Sequence, residues 1–276
     1  MADMKPILVP LDGSKTAEYV LPAAAWYAKV TGAPLRFVHV LDGDTKPEAR
    51  AKAAETFQGY ASGLAEAHKL GEIQCDVLAG AAAEQVLSAS VTAGAIALAS
   101  HGRGGFRATV FGSVADKIVR GSAVPVLIEP GTEEPVAPGP PRPILVGLDG
   151  SEEAERGLAT ARKLAAKDGS KIVLLRSFSM PPPVGIEFAA YPADLYSSLE
   201  QAAQDYLNAT AQAEEQTLLM QGDATGALLE AAEKVDAGLI VLTSTGKGVT
   251  KRVAMGSTTT RVIHGTERPV LVLPPE

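Results

Sequence analysis

Apolar positions along the first half of the chain fall in short unbroken runs separated by longer stretches in which they recur every three or four residues. Ile7 to Leu11 is a run of the kind that fills a buried strand. Ser14 then caps a helix whose apolar face carries Val20, Ala24 and Ala28 before Gly32 stops it. Leu35 to Val40 predicts a second strand, and the Ala/Glu-rich stretch from about Pro47 to Leu70 a helix. Ile73 to Leu78 reads as a third strand, Ala82 to Thr92 as a helix, and Ala95 to Ala99 as a fourth strand. A helix from Ser113 to Arg120, with Gly121 as its C-terminal cap, and a fifth strand from Pro125 to Ile128 complete the set. Unbroken apolar strands alternating with helices imply parallel strands buried on both faces.

The whole pattern then returns. Lys5-Pro6-Ile7-Leu8-Val9-Pro10-Leu11-Asp12-Gly13-Ser14 reappears as Arg142-Pro143-Ile144-Leu145-Val146-Gly147-Leu148-Asp149-Gly150-Ser151, an offset of 137. Gly80 returns as Gly222 at an offset of 142. Gly102, Gly112 and Pro125-Val126-Leu127 return as Gly246, Gly256 and Pro269-Val270-Leu271 at 144. The second copy therefore carries seven extra residues, placed by this reading between Met180 and Tyr196. The expected organisation is a first domain over residues 1–130, a Pro-rich linker over 131–142 that continues neither strand nor helix, and a second domain over 143–276. Each domain is expected to be a doubly wound α/β unit with a five-stranded parallel sheet in the order 3-2-1-4-5. A ligand would then sit beyond the carboxyl ends of strands one and four.

Composition narrows the function. With 276 residues, 46% hydrophobic and 21% charged, the chain is globular and long enough for two cores. No run of about 18 apolar residues suggests a membrane span, and Met1 to Pro6 lacks the layout of a signal peptide, so a cytoplasmic address is expected. A net charge of -7 disfavours nucleic acid and anionic membranes as partners. One cysteine and four scattered histidines offer no metal-ligand spacing, and Cys75 reads as a strand residue.

The candidate chemistry lies in two matching stretches: Ser100-His101-Gly102-Arg103-Gly104-Gly105 leading to Gly112-Ser113-Val114, and Ser244-Thr245-Gly246-Lys247-Gly248 leading to Gly256-Ser257-Thr258. In each, a strand ends near a glycine, nine residues follow, and Gly-Ser opens a helix. Glycine permits close approach and positive φ, and the free N–H groups of a helix start favour an anion. The spacing therefore describes a phosphate cradle, present twice. A P-loop is excluded because Val241 stands where its first glycine belongs, and the dinucleotide pattern because Arg107 and Lys251 replace its third. Ser100 and His101 do not read as a nucleophile and base, since adjacent strand residues point to opposite sides.

On these residues the chain resembles the universal stress protein family in its tandem form, whose ATP-binding members show Gly-x-x-Gly, nine residues, then Gly-Ser/Thr. Gly102, Gly112 and Ser113 match in repeat one, and Gly246, Gly256 and Ser257 in repeat two; Ala99 and Thr243 replace the first glycine. The resemblance implies that Asp12 meets the ribose or the polar edge of adenine, with Pro10, Val40 and Ala99 lining the nucleoside slot. Gly102, Arg103, Gly112, Ser113 and Val114 would hold the phosphates. In repeat two Asp149, Gly246, Gly256, Ser257 and Thr258 match, with Ser177 replacing Val40. It further implies ATP with Mg²⁺ as a regulatory ligand, little or no turnover and at most weak ATP hydrolysis. A nucleotide-free structural or partner-binding module, and a nucleotidyl or phosphoryl transfer enzyme, are the alternatives left open. The strongly apolar fifth strands would be bare sheet edges, which two copies can cover by pairing. An intramolecular pseudo-dimer of the repeats is therefore expected, with a further homodimer left open.

Overall fold

The protein was analysed as a computed structural model that describes residues 4–43, 46–100, 111–130, 135–180, 194–244 and 255–275. The first repeat runs β1 (Ile7–Pro10), α1 (Lys15–Glu18), α2 (Leu21–Thr31), β2 (Leu35–Leu41), α3 (Pro47–His68), β3 (Ile73–Ala79), α4 (Ala82–Ser90), β4 (Ala95–Ala99), α5 (Ser113–Gly121) and β5 (Val126–Glu129). The second runs β6 (Ile144–Gly147), α6 (Glu152–Asp168), β7 (Ile172–Phe178), α7 (Leu195–Thr210), β8 (Gln216–Gln221), α8 (Ala224–Lys234), β9 (Leu239–Thr243), α9 (Ser257–Gly265) and β10 (Val270–Leu273). The seven extra residues assigned to the second copy fall mostly in 181–193, outside the described residues.

Within each repeat the strands are parallel, as the alternation of apolar runs predicts, and their order is the expected 3-2-1-4-5. The two sheets are continuous. β5 pairs antiparallel with β10, with Ile128 opposite Val270, Leu127 opposite Leu271 and Val126 opposite Val272, giving one ten-stranded sheet. Strand residues alternate between its faces. Ile7 and Val9 point to a layer built by α1, α2, α3, α6 and α7, and Leu8 points to one built by α4, α5, α8 and α9. Both layers cross the junction without a break. On the first face Trp26 Nε1 of α2 donates to Asp168 Oδ2 of α6 at 2.8 Å. On the second, the Phe111 ring lies 5.5 Å from that of His264 on α9.

Three local outcomes differ from the sequence pattern, the first two for a steric reason. The single helix expected after Ser14 is split into α1 and α2. Pro22 has no N–H to donate to the carbonyl of Glu18, and its ring crowds that carbonyl. Ala159 stands at the equivalent position of repeat two, and α6 runs unbroken from Glu152 to Asp168. Gly121 is not a left-handed cap: it lies inside α5, and its φ is not positive. A Cβ there would stand 2.8 Å from Leu87 Cδ1, and one at Gly265 would stand 2.9 Å from Leu229 Cδ1. Both glycines let a helix close on its neighbour. The fifth strand extends one residue further than expected, to Glu129, which is fully buried with neither carboxylate oxygen hydrogen-bonded.

Burial pushes the Glu129 carboxyl up from 4.5 to about 9. Leu273 occupies the matching place in β10. Because the folded protein keeps this proton while the unfolded chain releases it, stability should fall as pH rises from 4.5 towards 9. Glu129→Leu is expected to remove that decline and to stabilise the protein by on the order of 3 kcal/mol at pH 7. Urea denaturation at pH 5, 7 and 9 checks it; parallel pH profiles for parent and variant would refute the assignment.

Candidate functional site

The strand order brings the carboxyl ends of β1 and β4 together in repeat one, and those of β6 and β9 in repeat two. The turn after each first strand is built identically. Gly13 and Gly150 take φ of 82° and 81°, which an L side chain resists. Ser14 Oγ accepts from the Ala17 N–H at 3.2 Å, and Ser151 Oγ from the Ala154 N–H at 3.1 Å, so each serine is the N-cap of the following helix. Asp12 Oδ1 accepts from the Ser14 N–H at 2.9 Å and its hydroxyl at 2.6 Å. Asp149 Oδ1 does the same with Ser151 at 3.0 and 2.5 Å. The aspartates thus brace the capping serines and stand at the mouth of each turn.

The helices α5 and α9 start differently. Their N-caps are Gly112 and Gly256, which have no side chain to accept from the first-turn N–H groups. Those N–H groups have no partner within the helix. The Gly112 N–H is held by the Ser100 carbonyl at 2.8 Å, and the Gly256 N–H by the Ser244 carbonyl at 2.5 Å, tying each helix start to the end of the fourth strand of its repeat. Neither glycine is at positive φ; they sit at -62° and -67°. Their value at this place is the missing side chain, and not the conformational freedom the sequence reading credits to the loop glycines. Ser113 and Val114 are exposed at the first turn of α5.

In repeat two these parts share a cleft of about 200 Å³, lined by Asp149, Ser177, Thr243, Gly256, Ser257 and Thr258 over an apolar floor that includes Leu228 and Leu242. Pro10, Val40 and Ala99 lie at the carboxyl ends of β1, β2 and β4, on the same edge as Asp12. Gly102, Arg103 and Gly246 fall outside the described residues. Sequence reasoning assigned nothing from the helix after the third strand, yet Ala224 and Leu228 of α8 line the cleft. Asp223 was the available signal: it follows Gly222 at a strand end and caps α8 by accepting from the Thr225 and Gly226 N–H groups. Two hydroxyls next in chain to cleft residues, Ser244 Oγ and Thr225 Oγ1, are buried without a hydrogen-bond partner.

Bulk is exchanged between the copies around this edge. Pro10 and Val86 of repeat one correspond to Gly147 and Leu228. A Cβ on Gly147 would come within 3.0 Å of both Leu228 and Leu242, so the glycine makes room for the larger leucine. Val20 and Ala99 correspond to Gly157 and Thr243. The Thr243 methyl lies 3.6 Å from where a Gly157 Cβ would stand, so that methyl is turned towards α6.

The profile of the Universal stress protein family matches residues 4–130 and again 141–274. A universal stress protein of Mycobacterium tuberculosis is 25% identical over 285 residues, covering 96% of each chain. One from Thermus aquaticus is 30% identical over 134 residues, 47% of this chain and 96% of its own. Among solved structures, a universal stress protein of Archaeoglobus fulgidus superposes with a TM-score of 0.72 at 22% identity over 98% of both chains, a likeness of fold.

Gly157→Val should cost about 1–3 kcal/mol by pressing branched methyls onto Thr243. Thr243→Ala in the same chain should recover most of the loss, because it recreates the Val20 and Ala99 pairing. Urea midpoints of the two single variants and the double variant measure the coupling, and strictly additive effects would show that the two positions do not share this space.

Proposed function

The chain belongs to the universal stress protein family, and on that premise we propose that it binds ATP as a regulatory ligand with little or no turnover. The observation that carries the reading is the cleft of repeat two. An uncapped helix start at Gly256 to Thr258 and a carboxylate at Asp149 border one cavity with an apolar floor. The helix start suits phosphate, the floor suits a base, and the carboxylate can accept from ribose hydroxyls. Repeat one repeats the same turn and the same uncapped helix at Ser113, which supports a second site of the same kind with Asp12 in the role of Asp149.

Among the described residues no group of three His, Cys, Asp or Glu side chains could hold a metal ion. Mg²⁺ would therefore be carried mainly by the nucleotide phosphates, the usual manner for an ion that keeps much of its water. The reading of little or no turnover is supported by Asp149, whose Oδ1 is already engaged by Ser151. We further propose that the repeats act as an intrachain pair, the form in which β5 and β10 cover each other's edge. No helix among the described residues is long and apolar enough to cross a membrane.

Calorimetry of the full chain with ATP and Mg²⁺ is expected to show binding. Ser257→Glu should weaken one site at least tenfold while leaving the melting temperature within a few degrees, because the exposed carboxylate repels phosphate yet complements the helix start. ATP affinity unchanged in this variant would remove α9 from the site. No nucleotide binding by the parent would favour the partner-binding alternative.

A further inference from the structure

Both repeats enclose the turn that carries the aspartate in a closed ring of contacts, although the residue at its centre differs. In repeat one the Leu11 N–H donates to the Val38 carbonyl at 2.8 Å, and the Leu11 carbonyl lies 2.8 Å from His39 Nδ1. In repeat two the Leu148 N–H donates to the Leu175 carbonyl at 2.9 Å, and the Leu148 carbonyl accepts from Arg176 Nη1 at 3.2 Å. Residues 11 and 148 are thus gripped on both sides by the second strand. Asp12 and Asp149 follow immediately.

The gripping side chains are themselves backed. The His39 ring stacks on Phe57 at 5.4 Å, Phe57 meets Tyr60 at 6.1 Å, and the Tyr60 hydroxyl donates to Glu18 Oε1 at 2.8 Å. Arg176 lies 5.2 Å over the Tyr206 ring, and the Tyr206 hydroxyl donates to Glu155 Oε1 at 3.2 Å. Glu18 and Glu155 sit on the helices that Ser14 and Ser151 cap, and those serines are held by Asp12 and Asp149. Burial, and then the bond to Glu18, raises Tyr60 well above its usual value, so the hydroxyl keeps the proton it donates. The path from strand to turn to aspartate to helix and back to the strand is closed in each copy. An imidazole in one and a guanidinium in the other share a single property: each can donate to the carbonyl preceding the aspartate.

We propose that Arg176 and His39 are positioning residues for the cleft of repeat two and the corresponding edge of repeat one, each fixing the turn that presents Asp149 or Asp12. The inference rests on the nucleotide reading for its consequence and on the ring of contacts for its geometry. In repeat two the guanidinium lies against the underside of the turn, where a Cβ on Gly150 would stand 3.4 Å from Nη1. Without the donor, the Leu148 carbonyl loses its partner and the carboxylate loses its fixed aim.

The test uses the full chain and two substitutions. Arg176→Met keeps an unbranched stem over Tyr206 but removes the donors; Arg176→His installs the solution of repeat one. Calorimetry with ATP and Mg²⁺ should show one site weakened about tenfold in Arg176→Met and restored to within about threefold in Arg176→His. Amide exchange of Ser151, whose N–H is bonded to Asp149, should be faster in Arg176→Met and return to the parent rate in Arg176→His. Parent-like affinity and exchange in a folded Arg176→Met, or failure of Arg176→His to restore either, would overturn the inference. If the parent binds no ATP, the nucleotide reading falls and the exchange rates alone decide the positioning role.

Discussion

The ladder between β5 and β10 is the constraint on which the rest of the molecule depends. Each repeat ends in a strand whose residues are buried on both faces, so neither could be left as an edge without exposing unpaired main-chain groups beside apolar side chains. Antiparallel pairing satisfies those groups and relates the copies by an approximate two-fold. Helices from both copies then meet over the junction on each face, as the Trp26 and Asp168 bond and the Phe111 and His264 contact show. Because this junction is fixed at the fifth strands, the cleft edges are left at the carboxyl ends of the first and fourth.

Around those edges the two copies reach similar architecture with different side chains. Gly147 makes room for Leu228 where the sequence of repeat one has Pro10 and Val86, and Gly157 faces Thr243 where it has Val20 and Ala99. Such exchanges keep a close-packed interior filled at nearly constant volume. They also alter the meaning of Thr243. A branched residue there replaces the first glycine of the motif, and in the folded protein its methyl is turned towards α6.

Two kinds of helix start meet at the cleft of repeat two. Helices α6 and α8, which also border it, have side-chain caps from Ser151 and Asp223. Helices α5 and α9 begin at glycine, with their first-turn N–H groups left to another acceptor. Tying Gly112 and Gly256 to the ends of β4 and β9 fixes where that acceptor would sit. Opposite them, the braced aspartates supply a polar group of the other sign. This order of groups is what the proposed nucleotide, with its anionic end, apolar base and hydroxyls between, would meet.

The strand sequence, the duplication and the glycine spacing were all legible in the chain, because each depends on local periodicity or on chain-distance regularities that survive without a fold. Parallel winding was legible and suggested the strand order that the sheet then settled, and Asp12, Asp149, Ser113 and Ser257 could be singled out because turn and cap chemistry is local. Tertiary structure decided what depends on atoms far apart in sequence. The splitting of the first helix at Pro22 is local and could have been read; the packing role of Gly121 could not, because Leu87 is 34 positions away. Leu228 enters the cleft only because α8 packs on the sheet beside it, and the charge state of Glu129 is set by burial that composition does not reveal. The hold of His39 and Arg176 on the aspartate turns belongs to the same class. A donor and a carbonyl 28 residues apart meet only when parallel strands lie in register, and that register is a property of the sheet.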